Sequence, residues 1–263
     1  MLLAIDIGNT NIVLGVFDWQ KLTHSWRLTT LRERTSDETG LLVSQLFDRA
    51  GISLASVDGV VMGSVVPPLT ASVIEMCERY LGVKPLNIEP GVSTGMPILY
   101  DNPSEVGADR IINSVAAYEA YGRSRQVPLI VVDFGTATTF DAVSAAGEYL
   151  GGVICPGIQI SADALFQRAA RLPRIDVRKP ASVIGKTTVH SMQSGLFFGY
   201  VAMVEGLVAR MRQELGGQAF CLATGGLATV IAPETPAIEA VNRDLTLTGL
   251  RIVWERNPRD GRR

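Results

Sequence analysis

Two short segments carry residue types suited to handling phosphate. Asp6-Ile7-Gly8-Asn9-Thr10-Asn11 follows the apolar run Leu3-Ala4-Ile5. A carboxylate at a strand end holds Mg²⁺ directly or through water. Gly8 lets the backbone approach an anion with no Cβ in the way, and Thr10 and Asn11 offer donors to phosphate oxygens. The same residues also favour an Asx-type turn. Asp133-Phe134-Gly135-Thr136-Ala137-Thr138-Thr139 repeats this equipment after Ile130-Val131-Val132. Its threonines also suit an ordinary strand. Gly107-Ala108-Asp109-Arg110 sets a carboxylate beside a guanidinium. That pair is either a general base next to an anion binder or charge decoration of a helix start. Ala223-Thr224-Gly225-Gly226-Leu227-Ala228 has the form of a strand-to-helix turn that lets a nucleotide come close to the backbone.

Gly185-Lys186-Thr187 ends like a P-loop, but the first glycine of that motif would fall on Pro180. No buried strand precedes it either, so a Walker A loop is excluded. Thr188, near the start of a long helix, either meets a ligand or serves as that helix's N-cap.

The two Asp-x-Gly segments need strands to present them. Each follows an apolar β-type run and is followed by β-prone residues, Ile12-Val13-Leu14-Gly15-Val16-Phe17-Asp18 in one copy and Thr139-Phe140-Asp141-Ala142-Val143 in the other. Each copy therefore reads as a β-hairpin with a tight polar turn. One hairpin opens each half of the chain, which points to a duplicated architecture. Helical spacing predicts a helix over 36–50 closed by Gly51. A strand over 57–66 follows, then a helix from Pro67 to about Leu81 and a short strand over 84–88. A helix N-capped by Ser104 is expected to end near Gly122. The turn-rich 122–128 stretch is the expected boundary, giving domains 1–124 and 125–263. In the second half, strands are expected over 129–133, 149–154 and 219–223. Helices are expected over 159–171, 189–215 and 246–255. Strands alternating with helices indicate an α/β fold with a mixed sheet in each half. The tail from Asn257 to Arg263 is expected to be disordered.

Composition narrows the chemistry. Of 263 residues, 47% are apolar and 19% charged, which excludes intrinsic disorder. The net charge of −2 argues against a nucleic-acid partner. Cys77, Cys155 and Cys221 are too far apart for a disulfide framework or a CxxC metal site. With only His24 and His190 available, a histidine metal site and a Ser-His-Asp enzyme are disfavoured. The work falls to carboxylates, hydroxyls and backbone amides. No apolar run approaches the roughly 20 residues of a membrane helix, and no targeting segment is recognisable. A cytoplasmic protein is expected.

These motifs, in this order, resemble the type III pantothenate kinases of the acetate kinase, sugar kinase, heat-shock chaperone and actin superfamily. The resemblance covers nearly the whole chain. It includes Gly63-Ser64-Val65-Val66-Pro67, Tyr100-Asp101-Asn102-Pro103, Gly151-Gly152-Val153-Ile154-Cys155-Pro156-Gly157 and Ser191-Met192-Gln193-Ser194-Gly195 besides the segments above. The Gly-Ala-Asp-Arg quartet after Tyr-Asp-Asn-Pro is its most discriminating part. The resemblance implies two similar actin-like, ribonuclease H-like domains with the nucleotide in the interdomain cleft. It also implies ATP-dependent phosphorylation of the terminal hydroxyl of pantothenate, the first step of coenzyme A synthesis.

By the same resemblance, Asp109 is the general base, and Gly107, Ala108, Asp109 and Arg110 bind pantothenate together with Tyr100 and Thr188. Asp6, Ile7, Gly8, Asn9, Thr10, Asn11, Ile12 and Val13 line the triphosphate, with Asp6 near Mg²⁺. Thr136 contacts ATP, and Asp133 sits where relatives bind K⁺ or NH₄⁺. Members are cytoplasmic homodimers. The family often has Asn-Thr before the long helix where this chain has Thr187-Thr188. Arg110 either pairs with the pantothenate carboxylate or orients Asp109. Two rivals stand beside the kinase: a non-catalytic, ligand-binding regulatory protein of the same fold, and a phosphatase of the same superfamily.

Overall fold

The computed structural model describes residues 1–89 and 91–257. The tail expected to be disordered therefore lies outside the described residues beyond Asn257. The strands form two five-stranded mixed sheets of the same topology. In the first, β1 (Leu2–Ile7) is central. It pairs antiparallel with β2 (Asn11–Asp18), which pairs antiparallel with β3 (Lys21–Thr29). On its other side β1 pairs in parallel with β4 (Gly59–Ser64), and β4 with β5 (Leu86–Asn87). In the second sheet β6 (Leu129–Phe134) is central, flanked by β7 (Ala137–Val143) and β8 (Tyr149–Pro156) on its antiparallel side. β9 (Phe220–Gly225) and β10 (Ala240–Val241) lie on its parallel side.

The echo between the two hairpins extends to register and burial. Asp6 sits opposite Val13 and Gly63, and Asp133 opposite Thr139 and Thr224. Both central strands are buried except at their aspartate, which is half-buried. Strands buried on both faces read as continuous apolar runs, which is why both hairpins are visible in the sequence.

Parallel neighbours require long crossovers, and helices supply them. α1 (Ser36–Ala50) leads from β3 to β4. Its start is fixed by a capping box: Glu38 N–H donates to Thr35 Oγ1 at 3.2 Å, and Thr35 N–H donates to Glu38 Oε2 at 2.8 Å. α2 (Pro67–Met76) runs on into a π-helical turn ending at left-handed Gly82. α3 (Ala108–Ala117) continues through a second π-helical turn into α4 (Arg123–Arg125). The second half adds α5 (Ile158–Arg168), α6 (Thr188–Glu214), α7 (Ala228–Ile231) and α8 (Leu245–Arg256). One core gathers Leu3, Ile5, Leu14, Phe47, Met62 and Leu69, and another Val132, Phe140, Phe197, Val204 and Cys221.

The chain divides into two compact units, and the division differs from 124/125 at three places. Residues 244–257 belong to the first unit, Pro97–Tyr100 belong to the second, and the second unit's main segment begins at Ala117 and not at 125. The first difference arises because α8 lies on β1, β2 and β4, with Leu245, Leu247, Leu250 and Val253 buried. The second arises because 97–100 extends the β8 edge: Leu99 N–H donates to Tyr149 O and Tyr149 N–H to Pro97 O, both at 2.8 Å.

Other elements shift as well. Ser104 does not cap α3; it lies in a 3₁₀ turn, Pro103–Glu105, and donates to Asn102 Oδ1 at 2.7 Å. β3, with its alternating exposed and half-buried residues, was not anticipated. α6 is long and apolar enough to span a membrane by length and composition alone, contrary to the expectation that no run approaches that length. Half of its most apolar window is buried inside the protein, and Phe197, Val204 and Val208 belong to the second core. All three cysteines are free, and burial pushes the Cys77 and Cys221 thiols up to about 12.

Within the first unit α3 and α8 cross backbone to backbone. A Cβ on Gly249 would stand 2.2 Å from the carbonyl oxygen of Ile112. Gly249→Val should therefore destabilise the fold by about 1–3 kcal/mol through overpacking. Gly206→Ala, at an open position inside α6, should stabilise it by about 0.5–1 kcal/mol. Chemical denaturation of the two variants checks both signs.

Candidate active site

The first unit holds two of the sequence-predicted groups: the turn after β1 and the head of α3. The chain reverses between the Ile7–Ile12 pair, with Gly8 N–H donating to Asn11 O at 3.0 Å. Asn9 and Thr10 at the tip are exposed, while Asp6, Gly8, Asn11 and Val13 are half-buried and Ile7 and Ile12 are in the core. Four consecutive polar or glycine residues at a strand end thus offer backbone and side-chain donors. A Cβ on Gly8 would lie 3.1 Å from Asn11 O, so a bare backbone is favoured there.

α3 opens with Ala108 and Asp109. Asp109 curls back so that Oδ1 accepts the N–H of Arg110 at 2.9 Å. The same oxygen lies 2.6 Å from where a Cβ on Gly107 would be, so the glycine leaves the space that the carboxylate occupies. Burial raises the Asp109 pKa above the ordinary aspartate range, and the N–H and guanidinium of Arg110 oppose that rise. Position in the first helical turn also favours the ionised form. Arg110 is 8% exposed, and every residue from Arg110 to Ala117 is buried. Two of its polar members, Ser114 and Asn113, are hydrogen-bonded locally. Ser114 Oγ donates to Arg110 O at 2.8 Å, and Thr246 Oγ1 of α8 donates to Asn113 Oδ1 at 2.8 Å. Gly63 completes the seat of the helix, since a Cβ there would press on Ile112 Cδ1 at 2.9 Å.

The second unit holds Tyr100, Asp133, Thr136 and Thr188. The turn after β6 is one residue tighter than its counterpart: it spans the Phe134–Thr138 pair, with Gly135 N–H donating to Ala137 O at 3.0 Å. Two glycine-bearing segments close on it. A Cβ on Gly157 would be 2.1 Å from Thr136 O. A Cβ on Gly225, whose φ is +90°, would be 2.5 Å from Asp133 Oδ1. The Thr-Gly-Gly turn, a weak signal alone, therefore leaves room for the Asp133 carboxylate.

Tyr100 is partly exposed beside buried Tyr149, ring centroids 6.4 Å apart, and next to Gly151. Tyr149 in turn donates to the fully buried Asp141 at 2.8 Å, and Thr139 Oγ1 donates to the other Asp141 oxygen at 3.2 Å. This supporting network was missed from sequence, although an aspartate inside an apolar strand was its signal. Thr188 is exposed at the first position of α6 and is not the cap. Thr187 is, accepting from His190 N–H at 3.2 Å. Gly185 packs on the first turn of that helix, where a Cβ would be 2.4 Å from Ser191 N, so the Gly-Lys-Thr segment is a helix-entry device.

Among the described residues no group of three or more His, Cys, Asp or Glu side chains is arranged to hold a metal. A cation at Asp6 or Asp133 would need further ligands from backbone carbonyls or substrate oxygens. A carboxylate beside glycine backbone provides a donor set of that kind for a hard ion.

Residues 2–210 match the family model for type III pantothenate kinase. The chain is 59% identical over 257 residues to a type III pantothenate kinase of Myxococcus xanthus, covering 98% of this chain and 99% of that one. It is 54% identical to one of Geobacter sulfurreducens, again over 98% and 99%. Among solved structures, a Campylobacter jejuni protein assigned to the Baf family of transcriptional activators has a similar fold. Its TM-score is 0.61 at 19% identity, over 97% of this chain and 98% of that one. An inorganic polyphosphate/ATP-glucomannokinase of Arthrobacter sp. strain KM aligns with a TM-score of 0.54 at 16% identity, over 97% and 99%.

Gly107→Ala should push the Asp109 carboxyl out of its recess towards water. Its pKa should then fall back towards the ordinary aspartate range. Carboxyl-carbon NMR titration of the two proteins checks this, and an unmoved titration would show that Gly107 does not define the recess.

Proposed function

The chain belongs to the type III pantothenate kinase family, and on that premise we propose how its residues divide the work. It transfers the γ-phosphoryl group of ATP to the terminal hydroxyl of pantothenate, the kinase step that opens coenzyme A synthesis. Phosphoryl transfer needs positioning and charge neutralisation more than covalent chemistry, which suits a site of backbone amides, hydroxyls and a few aspartates. The observation that carries the assignment is the Asp109 carboxylate, recessed over Gly107 at the head of the buried helix α3.

In this reading Asp109 accepts the proton of the pantothenate hydroxyl as that oxygen attacks phosphorus. An alcohol is a weak nucleophile at neutral pH, and a base of raised pKa is better matched to that proton. Arg110 fixes the anionic substrate or steadies Asp109, and Gly107, Ala108, Tyr100 and Thr188 shape the rest of the pantothenate site. Asp6 to Val13 cradle the triphosphate, and Thr136 meets ATP. Mg²⁺ bound with ATP supplies charge neutralisation, and Asp6 is the residue that would hold it. Asp133 would hold a monovalent cation, K⁺ or NH₄⁺. The reading also includes a cytoplasmic homodimer with no nucleic-acid or membrane partner. Exposed Leu150 and Ile154 on β8, with Phe166 on α5, are apolar side chains that such an assembly would cover.

ADP formation should require pantothenate, and phosphopantothenate should appear by mass spectrometry. ADP without pantothenate would favour a phosphatase, and binding without turnover a regulatory protein. Asp109→Asn keeps the hydrogen-bond acceptor and should lower kcat by about 10²–10⁴. Because the folded state holds the Asp109 proton more tightly than the unfolded chain does, this residue favours folding at low pH and opposes it above its raised pKa. At neutral pH the asparagine variant should therefore be no less stable than the parent. The acid limb of kcat/KM should lie above the ordinary aspartate range, and a limb within that range would reject Asp109 as the base.

Replacing K⁺ by Na⁺ should lower turnover in the parent enzyme. Asp133→Asn should blunt that difference, as paired assays in the two salts would show.

A further inference from the structure

The first hairpin turn is held by a residue that none of the motifs includes. Thr30, just beyond β3, donates its Oγ1 hydrogen to Gly8 O at 2.7 Å and its backbone N–H to Thr10 O at 3.0 Å. One residue thereby fastens both sides of the turn tip. No cis peptide bond occurs among the described residues. In a trans peptide the C=O and the following N–H point in opposite directions. With the carbonyls of Gly8 and Thr10 both directed at Thr30, the N–H groups of Asn9 and Asn11 are both directed away from it. Two donors are thus aimed to one side of the turn, the arrangement that a bound phosphate oxygen requires.

The duplicated fold supplies an internal comparison. β3 ends at Thr29 opposite Asn11, and β8 ends at Pro156 opposite Ala137. The next residues, Thr30 and Gly157, therefore occupy matching positions. Gly157 packs directly on the backbone of Thr136 with no room for a side chain, whereas Thr30 reaches its turn through a hydroxyl. The second turn has one residue fewer and is closed by contact. The longer first turn is closed by hydrogen bonds.

We infer that Thr30 is a positioning residue for ATP: its hydroxyl latches the turn so that the Asn9 and Asn11 amides meet the triphosphate. This rests on the reading of Asp6 to Val13 as the phosphate cradle. Removing the hydroxyl lets the Gly8 peptide turn away and weakens ATP binding while leaving pantothenate binding alone.

The test compares Thr30→Val, Thr30→Ala and Thr30→Ser in the full-length enzyme, with ATP affinity by calorimetry and both KM values. Val and Ala should each raise the KM for ATP about three- to tenfold, the loss of one hydrogen bond, with the KM for pantothenate changed less than about twofold. Ser, which keeps the hydroxyl, should restore the parent value. Equal rises in both KM values, an unchanged ATP affinity in Ala, or a failure of Ser to rescue would overturn the inference. Asp6→Asn separates the two levels. If it weakens ATP binding and Thr30→Ala does not, the latch is wrong and the cradle stands. If neither variant weakens ATP binding, the cradle itself is wrong.

Discussion

Asp109 lies over an absence: a side chain at position 107 would meet its carboxylate oxygen at 2.6 Å. Much of the first unit can be followed outward from that fact. The carboxylate sits on the first turn of a helix that is buried along most of its length. That helix is seated by two more missing side chains, Gly63 on β4 and Gly249 on α8. Gly249 comes from the far end of the chain, so the first unit is finished only when α8 folds back onto β1, β2 and β4. Close backbone approach carries a conformational cost for each glycine. In exchange the helix packs closely against β4 and α8.

The two sheets share strand order, pairing direction and the half-buried aspartate of the central strand. They differ in how the turn beyond that aspartate is secured. In the first unit hydroxyl and amide hydrogen bonds from Thr30 hold a longer turn. In the second, Gly157 and Gly225 press backbone and carboxylate together around a shorter one. A hydrogen-bonded turn keeps outward amides with fixed aim. A turn crowded by glycine lets neighbouring backbone and the Asp133 carboxylate pack closely around it. One hairpin form is thus secured in two different ways.

What the sequence made legible follows from where the signal is local. The hairpins, α1, the strand over 129–133 and the long α6 were readable because apolar runs, caps and turn glycines lie next to each other in the chain. β3 was not recognised, although Leu22, His24, Trp26 and Leu28 alternate half-buried between exposed residues: the strand is nowhere fully buried and so has no continuous apolar run to mark it. The assignment of the last helix to the first unit could not be read locally, because its apolar face fits either sheet. Ser104 looked like a cap by residue type, but Pro103 and extended Val106 delay the helix to Ala108. Within the site, the motifs named the groups that carry charge. Thr30 and the Tyr149–Asp141 pair support them through distant contacts and have no motif of their own.

The raised pKa of Asp109 is itself a consequence of this support. Desolvation dominates, and Arg110 together with the helix start limits the rise. The recess over Gly107 and the adjacent guanidinium act in opposite directions on one carboxyl group. Because the same burial opposes folding above the raised pKa, the stability of α3 has to come from elsewhere, and the close crossing with α8 and the Thr246–Asn113 hydrogen bond are where the first unit supplies it.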